Sequence, residues 1–492
     1  MKLSFKNFSE IKTLFFENIG FRQTIIKNTF WLALAEAISR FLKLALIIYV
    51  ARILGATEYG KFNFALAFSA LFSIFTDLGI SQILTREIAK TNEKEKEFPS
   101  ILSLKIFLSF FTLFLILIGS FFITDSLEIR KIIWVLAVFS IIESVCSIFF
   151  SFFQAKQKME YQAWTKILEA TLVTAFGFFV LLKFPSIINL SYSYLLSAFL
   201  ALVFILALYH FKVAKLKISF NFLFWKNILF LSWPLALSGL FSNIYTQTDT
   251  LVMGYLKQIT QIGWYQAVYK IAGASVLPAS LITYVFFPAM SSVFLKSREQ
   301  FQKIWDYFLG LMIFLAVPIV IGGIALTLRI IDFVYDPSFF PAALAFQILL
   351  IMIGISFLIS PFAQFLIIAN QQKKMFWIIF FGAILNFILN IFLIPKYSLY
   401  GAAFTTLISS VFVLILFYFF SKKLTVQKIF NKKMISTFIG SFFSSISMYF
   451  LIIHPFILKR NLFLVIALGA IIYFFSFFLY YIFIKKLLKI RN

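Results

Sequence analysis

Apolar stretches of about 20 residues or longer recur from near residue 28 to residue 484, and no other feature constrains this chain so strongly. Each is long enough to cross a hydrocarbon core about 30 Å thick. In lipid, every backbone N–H and C=O must be bonded within its own segment. The runs are also too long for barrel strands, so the spanning elements are predicted to be helices. Fourteen are expected, over residues 28–54, 61–85, 101–123, 131–154, 162–183, 191–211, 228–254, 262–290, 305–330, 341–370, 375–394, 398–420, 435–455 and 461–484. The 13% share of charged residues is far below the roughly 25% of soluble domains, which agrees with an all-α integral membrane protein.

Lys and Arg number 44 against 19 acidic residues. Such an excess can mark a nucleic-acid binder, but its placement excludes that class here. The basic clusters are Arg86 to Lys105, Lys156 and Lys158, Lys212 to Lys226, Lys296 to Lys303, Lys373 and Lys374, and Lys422 to Lys433. All fall on one side of the predicted spans, while the segments on the other side are short. The positive-inside rule then places both termini in the cytoplasm, with an even number of crossings. The clusters serve as topology signals and as anchors for membrane lipid headgroups. The first 27 residues are polar and amphipathic and lack the apolar core and cleavage site of a removable signal. A single cysteine, Cys146, and two histidines leave no disulfide and no Cys-based metal site. No phosphate loop or nucleophile elbow occurs, so neither enzymatic chemistry nor a cofactor is expected.

A weak internal repeat organises the helices. "LGATEYGKFNFALA" (54–67) and "MGYLKQITQIGWYQAVYKIAG" (253–273) both run from a glycine through a short outer turn to a second glycine beside aromatic and small residues. Gly55, Gly60, Gly254 and Gly263 are expected to permit those turns. The pattern returns six helices later. The expected organisation is therefore a cytoplasmic segment 1–27, a six-helix lobe 28–211, a second six-helix lobe 212–420, and two extra helices with a tail, 421–492. Repeats of this kind are common in transporters, where the substrate site lies between halves.

The charges inside the membrane carry the functional signal. Glu36, Arg40 and Lys43 lie at offsets of zero, four and seven, so they share one face of the first helix. Each such charge costs about 2.5–3.5 kcal/mol at the centre of a membrane helix, so the stripe must face protein or a wet cavity. Glu36 and Arg40 are spaced for an ion pair, which leaves Lys43 as the expected uncompensated cation. Asp249 and Lys270 sit in the outer halves of helices 7 and 8, where they are placed to pair, and Asp77 lies in the inner half of helix 2. Glu143 and Glu169 read as hydrogen-bonded or neutral carboxyls between helices. Asp306 is near enough to the interface to need no function. A cavity lined by helices 1, 7 and 8 would be net positive, and its natural ligand is an anion.

The stretches "ARILGATEYGKFNFALAFSALFSIFTDLGISQILTREIA" (51–89), "DTLVMGYLKQITQIGWYQAVYKI" (249–271) and "LNFILNIFLIPKYSLYGAAFTTLISS" (385–410), in that order, resemble the signatures of Wzx-type polysaccharide biosynthesis flippases. These belong to the multidrug/oligosaccharidyl-lipid/polysaccharide exporter superfamily. Ser398 and Leu399 stand after Tyr397 where family members often have a glycine. The resemblance implies two six-helix lobes in a MATE-like arrangement, with helices 13 and 14 added. The implied substrate is an undecaprenyl-diphosphate-linked oligosaccharide, carried from the cytoplasmic to the outer leaflet of a bacterial plasma membrane for capsule, O-antigen or exopolysaccharide assembly. A polysaccharide polymerase and chain-length machinery are the partners it brings in.

On that reading Arg40, Lys43 and Lys270 hold the diphosphate or acidic sugars, and Arg52 and Arg86 assist at the outer and inner mouths, with interfacial snorkelling as their plainer role. Glu36, Asp77 and Asp249 couple ions or balance the cations when the site is empty. Asn386 and Asn390 read as interhelical hydrogen-bonding groups. The alternative is a multidrug or other small-molecule exporter of the same superfamily. Against it, a site for cationic drugs would be dominated by carboxylates, whereas helix 1 carries two cations beside one acid.

Overall fold

The computed structural model describes residues 16–90, 92–294, 296–422 and 431–490, so most of the N-terminal amphipathic segment and of the basic run ending at Lys433 lies outside the described residues. Every regular element described is helical. The chain divides into two compact units, Met1–Tyr255 and Leu256–Asn492.

The first unit contains α1 (Phe21–Phe72), α2 (Ile74–Asp77), α3 (Ile80–Lys90), α4 (Phe98–Ile123), α5 (Leu127–Ala155), α6 (Met159–Lys183), α7 (Ile187–Lys212) and α8 (Phe222–Tyr255). The second contains α9 (Ile259–Ala274), α10 (Leu277–Val293), α11 (Arg298–Ala325), α12 (Thr327–Val334), α13 (Ala343–Ile368), α14 (Gln372–Lys422), α15 (Lys432–Ile453), α16 (Pro455–Leu458) and α17 (Leu462–Ile490). A straight helix of 52 residues, the length of α1, would run ~78 Å, more than twice the thickness of a hydrocarbon core. α1 is in fact interrupted at Gly55 (φ 76°, ψ 174°), and α14 at Ser398 (φ 52°, ψ −131°), where the sequence places outer turns between spans. Eleven helices among the described residues are long and apolar enough to cross a membrane, α14 counted once. With both interruptions, the helices are consistent with the fourteen crossings expected.

The outer turns are built differently in the two halves of the repeat, which corrects one expectation about the glycines. Gly55 supplies a backbone conformation that favours glycine. Gly254 does not turn the chain. It lies inside α8, and a Cβ there would stand 2.0 Å from the Phe64 ring, so its bareness serves packing against α1. The turn that follows is carried by Lys257 at φ 60°.

A clearer sign of duplication lies at two other turns. After α5, Gln157 (φ 56°) sits in the left-handed region; the Lys158 N–H donates to the Phe153 carbonyl (2.9 Å) and the Gln157 N–H to Gln154 (3.0 Å). After α13, Asn370 (φ 55°) does the same, with Gln371 donating to Leu366 (2.8 Å) and Asn370 to Ile367 (3.0 Å). Both are left-handed caps that satisfy the last carbonyls of a helix.

α8, which the sequence reading grouped with the second lobe, packs within the first unit. The Trp225 indole donates to the Ser100 carbonyl on α4 (2.9 Å), and the Asn243 amide to the Ala70 carbonyl on α1 (3.3 Å). One core of this unit gathers Ile83, Ile88, Phe98, Phe149, Phe152 and Tyr209 from α3, α4, α5 and α7. In the second unit, α15 and α17 close on α11 and α12 through Leu326, Met448, Ile452, Val465 and Tyr473, with the Tyr473 hydroxyl donating to the Phe314 carbonyl (2.6 Å).

Asp306 joins two segments of the second unit. It accepts from Gln302 (2.7 Å) and from Asn431 (2.6 Å), while the Asn431 side chain caps α15 by accepting from the Met434 N–H (3.0 Å). Asn431→Ala should therefore cost about 1 kcal/mol, read as a lower unfolding midpoint in detergent.

Candidate functional site

Lys27, Glu36 and Lys43 of α1 meet Glu160, Lys166 and Glu169 along the contact between α1 and α6. These helices run in the same direction, so residues of rising number face one another in order. At one end the Lys27 ammonium is satisfied by the Glu160 carboxylate (3.1 Å), the Gln157 carbonyl (3.3 Å) and the Asn18 amide oxygen (2.7 Å). This pair is closed off, with side chains 1% and 4% exposed. Beside it the Asn28 amide donates to the Gln157 side chain (2.8 Å). The left-handed turn at Gln157 thus presents both its carbonyl and its side chain to α1.

Two and a half turns past Lys27 along α1, Glu36 Oε1 accepts from Arg40 Nε (2.6 Å) as the spacing predicts. The pair is open: the side chains are 53% and 45% exposed. Lys166 of α6 approaches the other Glu36 oxygen (3.9 Å), and the Lys166 carbonyl accepts from the Ser39 hydroxyl (3.3 Å). Two cations therefore share one carboxylate. The sequence reading missed Lys166. The signal was there, since it lies three residues before Glu169 and so on the same face of α6.

Lys43 is not the uncompensated cation expected. It donates to Glu169 Oε1 at 2.9 Å, with Glu143 of α5 beside the same pair. Of the two readings for Glu169, hydrogen-bonded or neutral between helices, the first fits: the carboxyl is the hydrogen-bonded partner of Lys43. The reason is the register of α1 against α6, which a single helix wheel does not contain. The excess of cations over acids moves one turn back, to Arg40 and Lys166.

The remaining candidates are dispersed. Asp77 accepts from the buried Lys105 ammonium of α4 (2.5 Å). Arg86 is exposed at the end of α3 and pairs with Glu87 (3.0 Å). Arg52 is exposed on α1. Asp249 is buried on α8 and accepts from the Thr250 N–H (2.7 Å), whereas Lys270 is half-buried on α9 of the second unit. Asn386 and Asn390 are buried on α14 and bond each other (2.9 Å).

An all-helical chain with duplicated units and an open ionic rung on a spanning helix defines a multi-pass membrane protein of the transporter type. More particularly, residues 25–294 match the family described as polysaccharide biosynthesis protein, and the chain belongs to that family. Among its relatives, the capsular polysaccharide biosynthesis protein CapF of Staphylococcus aureus is 23% identical over 412 residues, which cover 81% of this chain and all of that protein. The putative O-antigen transporter of Shigella flexneri is 25% identical over 409 residues, 77% of this chain and 93% of the relative. Among solved structures, the lipid II flippase MurJ in an inward closed conformation shares the fold, with a TM-score of 0.75 at 18% identity, over 93% of this chain and 99% of that one.

Proposed function

We propose that this protein is a flippase that carries an undecaprenyl-diphosphate-linked oligosaccharide from the cytoplasmic to the outer leaflet of a bacterial plasma membrane by alternating access, with both of its termini in the cytoplasm. The observation that carries the reading is the rung at Glu36, where Arg40 and Lys166 share one carboxylate and the arginine is about half open. A surplus cation on a spanning helix is costly unless it faces water or an anion. A diphosphate offers oxygens that match a guanidinium in two parallel bonds and, like the sugars attached to it, cannot enter hydrocarbon. The polyprenyl tail remains in the bilayer. Relatives named for capsule synthesis and O-antigen transport, and the fold shared with a lipid II flippase, support the same substrate class.

In the empty protein Glu36 holds Arg40; the arriving phosphate competes for the guanidinium, and Glu36 reclaims it on release. Lys43, already paired with Glu169, contributes its field at lower strength. Lys270 is a separate candidate in the second unit, Arg52 and Arg86 act near the two ends of the first helix pair, and Asp77 and Asp249 balance charge. The test compares Arg40→Ala, Lys43→Ala and Lys270→Ala at matched membrane abundance. Arg40→Ala is expected to lower surface glycan at least about tenfold, the loss of one charge-assisted bond, while lipid-linked intermediate accumulates on the cytoplasmic leaflet. Unchanged surface glycan in all three variants would overturn the assignment.

A further inference from the structure

The second crossing of the first unit is broken, and its break faces a proline inside α8. α1 ends at Phe72, α2 contributes a single turn to Asp77, and Leu78 (φ 44°, ψ 31°) and Gly79 (φ 76°) both adopt left-handed backbone before α3 begins at Ile80. A leucine holds that conformation only where its surroundings impose it. Gly79 lies hard against α8: a Cβ there would stand 2.7 Å from Leu235 Cβ and 3.0 Å from the Ser232 carbonyl oxygen. Between those two residues is Pro234, which lacks the N–H that would bond the carbonyl four residues earlier. Both helices therefore lose their continuous hydrogen-bond ladder at the same level and in contact with each other.

Asp77 ties this level together. Its carboxylate accepts from Lys105 of α4 at 2.5 Å and from the Ser81 hydroxyl in the first turn of α3, so one side chain spans the break. The Lys105 side chain is 0% exposed, and that of Asp77 is 28% exposed. On one side of this level lies the core shared by α3, α4, α5, α7 and the start of α8, which holds their ends as one body. On the other side, α8 follows α1, through the Asn243 bond to Ala70 and the Gly254 contact with Phe64.

The second unit carries a milder interruption, without left-handed backbone. α9 stops at Ala274 and α10 starts at Leu277, about three to four turns past Gly263, with Ser275 (φ −68°) and Val276 (φ −81°) still right-handed, whereas Leu78 lies about five turns past Gly60. Discontinuous membrane helices are the pattern of moving or binding elements in transporters. The sequence across the second break, "AGASVLPAS", has no acid, so the Asp77 pin belongs to the first unit alone.

From this we infer that the α1–α3 line and α8 bend together at Leu78–Gly79 and Pro234, and that Asp77 and Lys105 are positioning residues that pin the bend during transport. The part played in transport rests on the flippase reading; the bend itself does not.

The experiment places nitroxide pairs at Thr57 and Ala89, along the broken line, and at Leu223 and Tyr255, along α8, in a Cys146→Ser background reconstituted in lipid nanodiscs. The pin is removed by Asp77→Leu together with Lys105→Met, which leaves no buried charge without its partner and so preserves folding. Both distance distributions should shift or split together, heat stability should stay within about 4 °C of the parent, and surface glycan should fall at least about tenfold. Lys105→Arg with Asp77 in place, which keeps the ion pair, should leave both distances as in the parent. A folded double variant with both distributions unchanged overturns the hinge. Distances that move while surface glycan does not overturn its part in transport. Since the distances are read without substrate, a failure of the flippase reading leaves the hinge test intact.

Discussion

Replacing Lys27 by methionine should cost the protein about 3–5 kcal/mol, the usual penalty for removing one member of a buried ion pair. Glu160 has Lys27 as its charged partner and is 4% exposed, so the variant would leave a carboxylate enclosed between α1 and α6 with no cation. Such a loss is a large share of a typical stability of 5–15 kcal/mol, and it should appear as a fall in the unfolding midpoint and in membrane abundance. Glu160→Gln should behave similarly, since it strands the ammonium. The combination Lys27→Met with Glu160→Leu should recover most of the loss, because no charge is then left buried. Recovery will be incomplete: the Lys27 ammonium also bonds the Gln157 carbonyl and the Asn18 side chain, and neither gains a new donor. If the double variant is no more stable than either single one, the cost lies in those two bonds and not in the charge pair.

This pair also marks where sequence reasoning reaches its limit. The all-helical membrane architecture and the approximate helix ends were legible because apolar length acts locally, and the helix wheel placed Glu36, Arg40 and Lys43 on one face without any knowledge of their neighbours. The Glu36–Arg40 bond is internal to one helix, so the i,i+4 rule sufficed.

What the wheel could not supply is the register between helices. Lys43 with Glu169, Lys27 with Glu160 and Asp77 with Lys105 join residues distant in the chain. Moving α6 by one turn would exchange the partners of Lys27 and Lys43. Lys105 illustrates the loss most plainly: in a run of basic residues it read as one more headgroup anchor, yet its side chain is enclosed against Asp77. Local backbone breaks were equally hidden. Residues 61–85 and 262–290 are apolar enough overall to read as unbroken spans, and Leu78 and Val276 are themselves apolar.

Reversing the charge at Arg40 should have the largest effect on transport. Arg40→Glu removes the open guanidinium and sets a second carboxylate one turn from Glu36, so Lys166 would face two acids where two cations now face one. A diphosphate entering that rung would meet repulsion in place of a charge-assisted bond worth about 1.5–3 kcal/mol. Surface glycan is expected to fall by about 100-fold or more, at 1.4 kcal/mol per decade, with lipid-linked intermediate accumulating on the cytoplasmic leaflet. Arg40→Lys should fall less, because a point charge is kept while the two-pronged geometry is lost. Glu36→Gln separates binding from release. It frees Arg40 from its resting partner, so the substrate should be held more tightly while turnover slows, whereas an Arg40 that only glues helices would lose stability with Glu36→Gln and leave turnover unchanged. Two readouts on one pair of residues, intermediate retained and glycan delivered, therefore distinguish a carrier's counter-ion from a structural bridge.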